Sequence, residues 1–406
     1  MWCRTDERKD GRTDRGTEKR ARDFRFFPSA TVVPIARKDR RHENNRKIST
    51  LVDRTEQQNK MEISNLREGL LLGVGNPLLD ISAKVNLEFL SKYDMKKNDA
   101  ILAEDKHKPI YKELMDKYQV EFTAGGSVQN TLRVSQWILE KPKVTTFFGA
   151  VGEDEYAKIL QERAIAEGVN VQYQHAQDSS TGTCAVLITG TDRSLCANLA
   201  AANLFTPDHL AKSENKKLIE SAQYFYISGF FLTVSPPSIQ EIAKHALAHN
   251  KTFIMNLSAP FLSTFYKKPL MEAMPYVDIL FGNESEAETF ASEQNFQTKD
   301  LKEIAQKICD LPKQNENKKR IVIITTGTNP VILADNGKIT EYPIIKLEHE
   351  KVVDTNGAGD AFVGGFLAQY IQQQPLEVCI KCGVWTASQI IQRSGCTFEG
   401  KATFKP

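Results

Sequence analysis

The residues of this chain that could do chemistry are concentrated in segment 354–362, DTNGAGDAF. It follows an apolar, strand-like stretch, 351–353, and precedes a helical pattern, so the sequence predicts a strand, a tight glycine turn and a helix start. Glycines let the backbone approach a ligand closely, and the free N–H groups of a first helical turn favour an anion. The predicted anion hole is therefore Asn356, Gly357, Ala358 and Gly359.

Asp360 lies at the edge of this turn. A carboxylate is a poor ligand for phosphate because like charges repel. Its place beside an anion hole therefore fits a proton acceptor for a hydroxyl that attacks the phosphate. An aspartate in a first helical turn also stabilises the helix dipole without any catalytic role. The surrounding nine residues favour the catalytic interpretation.

The overall composition is that of a globular protein. The 406 residues are 41% hydrophobic and 26% charged, and this length allows one large domain or two ordinary ones. No apolar run approaches the ~20 residues that span a bilayer. The seven cysteines are an odd number without a disulfide-like spacing, so we expect a reducing compartment, the cytoplasm.

Charge is unevenly distributed along the chain. Residues 1–60 contain 17 Lys and Arg against 10 Asp and Glu, whereas the remainder contains 36 against 41, a net charge of −5. Residues 1–62 have little apolar sequence and are predicted to be a disordered basic extension before one domain, 63–406. The basic run 37–41 fits three interpretations: a nuclear localisation signal, a nucleic-acid contact or a solvated tail. Met61 is a candidate start for a shorter form.

Two further motifs place polar residues beside glycines. Residues 70–75, LLLGVG, are typical of a buried strand that ends in glycine, and the alternation in 79–86 predicts a half-exposed strand that carries Asp80. The two oxygens of a carboxylate suit the two donors of a vicinal diol. Residues 125–127, GGS, precede a helical run, 128–139, which also fits a plain loop with a helix cap.

Strand and helix patterns alternate along most of the domain. This alternation predicts an α/β fold with a central, mostly parallel sheet flanked by helices. Two strand patterns, 182–189 and 195–198, predict a hairpin. Because ligands gather at the carboxyl ends of parallel strands, Thr325 and Gly327 are predicted to border a nucleotide.

Five motifs in order resemble the signatures of the ribokinase-like family of carbohydrate and nucleoside kinases. They are 73–80 (GVGNPLLD), 124–130 (AGGSVQN), 256–260 (NLSAP), 281–286 (FGNESE) and 354–362. The resemblance extends from Gly69 to Phe404 and is greatest to the members that phosphorylate adenosine. It implies a monomer with a small β-sheet lid, at about 80–100 and 180–200, over the substrate.

The resemblance also implies a reaction and a role for individual residues. ATP would give its γ-phosphate to the 5′-hydroxyl of adenosine, with Asp360 as the base. The residues assigned to the nucleoside are Asn76, Leu78, Asp80, Gly126, Ser127, Asn130, Leu195, Ala197 and Phe231. Asp80, Gly126 and Asn130 would bind the ribose, and the apolar residues would surround the base. Arg193 matches a lid arginine near the phosphates.

Asn283 and Glu286 are spaced i, i+3 and therefore share one face at a predicted helix start. They match an N-x-x-E motif of the family, which implies that both act on Mg²⁺ and that Asn283 also borders the nucleotide. Mg²⁺ keeps several waters and takes few protein ligands, so one carboxylate and one amide suffice. A helix-capping pair is the alternative interpretation.

Other functions remain as alternatives at this point. The chain lacks both the P-loop motif and the catalytic motifs of protein kinases, so phosphate binding is expected to fall to the glycine turn. A related kinase of another nucleoside or a sugar would differ around the base, because a sugar needs no flat apolar slot. A non-catalytic nucleoside-binding protein has no chemical need for Asp360 or Glu286. Nucleic-acid binding by the basic extension would be an accessory role beside an acidic domain.

Overall fold

The computed structural model describes residues 66–190 and 192–406. The predicted extension 1–62, its basic run and the candidate start at Met61 lie outside the described residues. Within the described ranges, no helix has both the length and the apolar character needed to cross a membrane.

The described strands form two sheets. In chain order they are β1 (Leu71–Val74), β2 (Leu78–Lys84), β3 (Ala100–Leu102), β4 (Glu121–Gly125), β5 (Thr145–Gly152), β6 (Asn170–Ala176), β7 (Thr183–Thr189), β8 (Asp192–Asn198), β9 (Tyr224–Ser228), β10 (Thr252–Asn256), β11 (Ile279–Asn283), β12 (Ile321–Thr325), β13 (Val331–Asp335) and β14 (Lys338–Tyr342). The larger sheet has the order β14-β13-β12-β11-β10-β9-β1-β5-β6. Its strands from β12 to β6 pair in parallel, and β13 and β14 add an antiparallel edge. The predicted mostly parallel sheet is confirmed.

Thirteen α-helices occur among the described residues. They are α1 (Leu87–Lys92), α2 (Pro109–Lys117), α3 (Ser127–Leu139), α4 (Glu155–Ala166), α5 (Pro207–Ala211), α6 (Ser213–Ser221), α7 (Pro236–Ala248), α8 (Pro260–Phe265), α9 (Lys267–Ala273), α10 (Glu284–Glu293), α11 (Leu301–Cys309), α12 (Ala358–Tyr370) and α13 (Leu376–Ile390).

Both faces of the large sheet are apolar and covered. Consecutive strand residues point to opposite faces, so Leu72 and Phe148 join one core, with α7, α10 and α11, whereas Leu71 and Phe147 join the other, with α3, α12 and α13. A parallel sheet buried on both sides needs this continuous apolar sequence. The helices that carry candidate site residues are therefore fixed against a rigid layer.

The smaller sheet has the order β3-β8-β7-β2-β4. The predicted hairpin is present as the antiparallel pair β7 and β8. β2 pairs in parallel with β7 and antiparallel with β4. The sequence prediction of this lid lacked β4, which leads directly into the glycine pair before α3.

Two local predictions were wrong. Residues 351–353 are not a strand, because His349–Lys351 form a short 3₁₀ turn and the N–H groups of Val353 and Asp354 donate to the carbonyl of Ile391. β2 is not half-exposed but buried along all residues except Lys84. The reason is that β2 lies inside the small sheet: Ile81 packs in a separate core under α1 and α2, and the opposite side faces a cavity.

The far end of α3 holds the C-terminal segment. The ring of Trp137 stacks on Trp385 at 5.3 Å and on Phe398 at 5.0 Å between centroids. Trp385 also contacts Phe404, and Trp137 Nε1 donates to the carbonyl of Gly400 at 2.9 Å. This stack joins α3, α13 and the last residues of the chain.

Candidate active site

A cavity opens between the small sheet, the start of α3 and the start of α12. We call it the first cavity. Its polar lining contains most of the residues that the sequence assigned to a nucleoside and a phosphate: Asn76, Asp80, Gly126, Ser127, Asn130, Asn356, Gly357, Gly359 and Asp360. The structure thus brings together residues that are more than 280 positions apart in the chain.

Asp360 lies in the first turn of α12 and is held by donors from α3. Ser127 Oγ donates to Asp360 Oδ1 at 2.7 Å, and Asn130 Nδ2 donates to Asp360 Oδ2 at 3.1 Å. Burial raises the pKa of Asp360 to about 6, and these two hydrogen bonds act in the opposite direction. The carboxylate is therefore fixed in place and mostly ionised at neutral pH.

Asp80 faces the same cavity from β2. Burial raises the pKa of Asp80 to about 8; the charge of Asp360 adds to the rise, and Arg133 opposes it. No described residue donates a hydrogen bond to its carboxylate. A Cβ on Gly125 would lie 2.3 Å from Asp80 Oδ1, so only glycine leaves room for the carboxylate there.

Asn76 and Gly126 form another part of the wall. The side-chain oxygen of Asn76 is buried without a hydrogen-bond partner among the described residues. Gly126 has φ +94°, and a Cβ there would lie 2.2 Å from the backbone oxygen of Asn76. The buried, unpartnered oxygen is a ready acceptor for a ligand donor, since burying it without one is unfavourable.

The apolar wall of the first cavity agrees with most of the sequence assignment. Leu78, Leu195 and Ala197 line it, together with Ile101, Leu102, Phe230 and Phe261. Phe231 does not: it is fully buried in the core of the large sheet, against Phe205. The 3₁₀ turn Gly229–Thr233 points neighbouring rings in different directions, so Phe230 occupies the position in the wall that was predicted for Phe231.

A second cavity lies on the other side of the glycine turn. Thr325 and Gly327, the predicted neighbours of a nucleotide, line it, with an apolar surface formed by Val331, Ile344, Ile345, Val352, Phe362, Val384 and Ile391. Asn356 and Gly357 line the first cavity, Ala358 lines the second, and Gly359 lines both. A Cβ on Gly359 would meet nothing within 4 Å. The turn therefore stands between the two cavities with open space at its tip.

The glycine turn is organised by Asp354. Its two oxygens accept from the N–H of Asn356 and from the N–H of Gly395, both at 2.8 Å. Gly357 has φ +76° at the N-cap of α12, a conformation that glycine adopts without strain. The N–H of Ala358 donates to the carbonyl of Thr355 at 3.3 Å, whereas those of Gly359 and Asp360 have no acceptor among the described residues and are candidate donors to an anion.

Arg193 contacts this loop rather than the second cavity. Its Nε lies 3.0 Å from Asp354 Oδ1 in a buried ion pair, and its Nη2 donates to the carbonyl of Val353 at 2.7 Å. Arg193 belongs to β8, so the small sheet is connected to the segment that shapes the glycine turn. The sequence placed Arg193 near phosphates but not on Asp354.

Asn283 and Glu286 form a reciprocal capping box at the start of α10. Asn283 Oδ1 accepts from the N–H of Glu286 at 2.9 Å, and Asn283 Nδ2 donates to Glu286 Oε1 at 2.8 Å. Neither of these residues lines the first or the second cavity. Burial raises the pKa of Glu286 to about 7, and the charges of Glu284 and Asp360 contribute. No group of three His, Cys, Asp or Glu able to hold a metal ion is found within the described ranges.

Comparison with known proteins identifies the family. Residues 87–402 match the pfkB family of carbohydrate kinases. The chain is 51% identical over 344 residues to adenosine kinase 2 of Arabidopsis thaliana, which covers 85% of this chain and 100% of that one. This chain belongs to the pfkB family. The predicted ribokinase-like kinase fold is confirmed.

Solved pfkB-family structures share this arrangement of the chain. The crystal structure of Anopheles gambiae adenosine kinase in complex with P1,P4-di(adenosine-5) tetraphosphate has a TM-score of 0.82 and 61% identity, covering 84% of this chain and 100% of that one. Adenosine kinase from Schistosoma mansoni in complex with adenosine and AMP has a TM-score of 0.78 and 36% identity, covering 84% and 100%.

Several residues of this candidate site were missed from the sequence. Phe261 follows the NLSAP motif, but a lone aromatic residue gives no sign of the cavity it faces. Asp354 was quoted within the glycine motif without a role. Arg133, which is fully buried, forms an ion pair beside Asn130 with Glu167, which is largely buried. The available signal for Arg133 was its position on the apolar side of a predicted helix. Charged residues are rarely buried without a partner, so this position indicates a buried ion pair.

Proposed function

We propose that this chain is an adenosine kinase, which transfers the γ-phosphate of ATP to the 5′-hydroxyl of adenosine and produces AMP and ADP. The observation that carries the proposal is the pair of cavities that meet at Gly359, with Asp360 beside the junction. A nucleoside in the first cavity and a nucleotide in the second would bring hydroxyl and phosphate together at the tip of the glycine turn.

The first cavity is suited to a nucleoside. Asp80 and the free oxygen of Asn76 supply acceptors for hydroxyl groups, and Asn130 and Gly126 lie beside them. The apolar wall with Phe230 and Phe261 suits a flat base. A kinase of another nucleoside or of a sugar is the second candidate, and a sugar would leave this apolar wall without a partner.

Asp360 accepts the proton of the attacking hydroxyl. An aspartate is a weak base, but alignment and charge stabilisation contribute most in phosphoryl transfer. Ser127 and Asn130 hold both carboxylate oxygens in place. The N–H groups of the glycine turn stabilise the charge that develops on the transferred group. Closure of the small sheet over the nucleoside would exclude water and suppress hydrolysis of ATP.

Mg²⁺ fits the residues at the start of α10. Glu286 is a carboxylate whose pKa is raised chiefly by burial, no described cationic side chain forms an ion pair with it, and each of its oxygens retains an acceptor site. Glu286 would hold the ion, with Asn283 beside it, through few ligands and several waters. When bound, Mg²⁺ neutralises phosphate charge. We further propose that the protein is a monomer in the cytoplasm. A location in the nucleus is the alternative.

The test is a substrate panel with the purified full chain. ADP release would be followed with ATP, Mg²⁺ and, in turn, adenosine, inosine, guanosine, ribose and fructose. Adenosine should give the highest kcat/KM, with AMP as product. Preference for a sugar or another nucleoside would contradict the assignment of the apolar wall. Adenosine binding without turnover would contradict the kinase function itself.

A further inference from the structure

A buried chain of hydrogen bonds connects Asp360 to an arginine outside both cavities. Asn130 Nδ2 donates to Asp360 Oδ2, and Asn130 Oδ1 accepts from Arg133 Nη1 at 3.1 Å. Arg133 lies one helical turn after Asn130 on α3 and is fully buried. It lines neither cavity, so a ligand in either one would not touch it.

The guanidinium of Arg133 is fixed on its other sides. Its Nε and Nη2 bind the two oxygens of Glu167, the latter at 3.0 Å. Its Nη1 also donates to the carbonyl of Ala124 at 3.0 Å. Ala124 belongs to β4, just before the glycine pair that receives Asp80. One rigid fork therefore fixes a carboxylate, a strand end and the Asn130 amide.

We propose that Arg133 is a positioning residue for phosphoryl transfer, which holds the Asn130 amide with its nitrogen toward Asp360 and so maintains the base in its ionised form. The proposal rests on the proposed function of Asp360 as proton acceptor. A rotated amide would direct Asn130 Oδ1 at the carboxylate, where two acceptors repel. The charge of Arg133 also polarises the amide and strengthens its donation.

Several acidic groups lie in the electrostatic surroundings of Asp360. Asp360 interacts electrostatically with Asp80 from β2, Glu286 from α10, Tyr226 from β9 and the Cys396 thiol of the C-terminal segment. All four are neutral or negative, and Asp354 adds a further negative charge near Asp80. The positive charge of Arg133 acts directly on Asp80 and Cys396, and hydrogen bonds through Asn130 connect it to Asp360.

The chain offers a matched control. Glu167 has a second partner, Arg163, whose Nε lies 2.6 Å from Glu167 Oε1. Arg163 is half-exposed and has no contact with Asn130. Replacing Arg163 therefore weakens the hold on Glu167 without altering the connection to Asp360, whereas replacing Arg133 breaks that connection and leaves Glu167 with one partner.

The experiment measures kcat between pH 5 and 9 for the full chain and for Arg133→Met, Arg133→Lys and Arg163→Gln, with adenosine, ATP and Mg²⁺. Both Arg133 variants should lose about tenfold in kcat at pH 7, the equivalent of one hydrogen bond to a charged group. Their acid limb should move up by about one pH unit. Arg163→Gln should retain the wild-type profile.

Controls separate this inference from the proposed function. Circular dichroism verifies folding, and Arg133→Lys carries the test if the methionine variant fails to fold, because lysine retains the charge but lacks the fork. An acid limb unchanged in a folded Arg133 variant overturns the inference. If the wild type does not phosphorylate adenosine, the proposed function fails. The pKa of Asp360 is then read from carboxyl ¹³C NMR against Asp360→Asn, and it should still rise in Arg133→Lys.

Discussion

Asp360 and Asp80 are two buried carboxylates in one cavity, but the fold treats them differently. Asp360 accepts one hydrogen bond on each oxygen, from Ser127 and Asn130. Asp80 receives none from the described residues. Burial raises both pKa values, to about 6 for Asp360 and about 8 for Asp80. Hydrogen bonds from the protein itself stabilise the ionised form of Asp360, whereas the oxygens of Asp80 can accept hydrogen bonds from the hydroxyls of a ligand.

The largest effect should come from Asp360→Asn. The amide retains the shape of the side chain but has no basicity, so kcat should fall about a thousandfold, within the range of general base catalysis. Adenosine affinity should change little, because Asp80 is intact. Kinetics of ADP release measure the change in kcat, and calorimetry measures the affinity for adenosine. Full turnover in this variant would refute the role of Asp360 as base.

Asp80→Asn should show the opposite pattern. Loss of hydrogen bonds from two hydroxyls to a charged acceptor should weaken adenosine binding about fiftyfold. Calorimetry with 2′,3′-dideoxyadenosine is the control, since this nucleoside lacks both hydroxyls. The variant and the wild type should bind it with equal affinity. An equal loss for both nucleosides would mean that Asp80 shapes the cavity without contacting the diol.

The pH dependence of adenosine binding sharpens the comparison. Hydroxyl donors favour the ionised form of Asp80, so its pKa should be lower in the complex than the value of about 8 in the free protein. Affinity should therefore decrease as pH falls below 8, by up to about tenfold per unit. Calorimetry in buffers of different ionisation enthalpy should show proton release on binding. Asp80→Asn should abolish this release, and a wild type without it would contradict the raised pKa.

The smallest effect concerns stability. The folded-state pKa of Asp80 is raised, so this group binds more protons in the folded protein than in the unfolded chain, and its contribution to stability decreases as pH rises from about 4 to about 8. Asp80→Asn removes this titration, so its gain in the free energy of unfolding over the wild type should be larger at pH 8 than at pH 4, by about 1 kcal/mol or more. Urea denaturation at both pH values tests this. A variant that is less stable at pH 8 would contradict it.

Most of the fold and much of the site could be predicted from the sequence. Gly126, Asn130 and Asp360 each lie at or just after a glycine turn that begins a helix, whereas Asp80 lies within β2. The lid hairpin was also visible, because its apolar strands are separated by a polar turn.

The remaining features depend on tertiary contacts. Phe230 and Phe231 are identical in type, and only the 3₁₀ turn decides which ring enters the cavity. Segment 351–353 has strand-like residues but pairs with the end of α13 instead of a sheet. The partners of Arg193 and Arg133 are 161 and 34 residues away in sequence. No local pattern specifies such partners.

The aromatic stack at the far end of α3 provides an optical signal of the site's support. Trp137 and Trp385 are close enough for their excited states to couple, and Phe398 covers the other side of Trp137. The near-ultraviolet circular dichroism of these indoles therefore reports how the C-terminal segment is seated on α3, the helix that begins with Ser127 and Asn130. Loss of this band before the far-ultraviolet helical signal would record detachment of that segment while the domain remains folded.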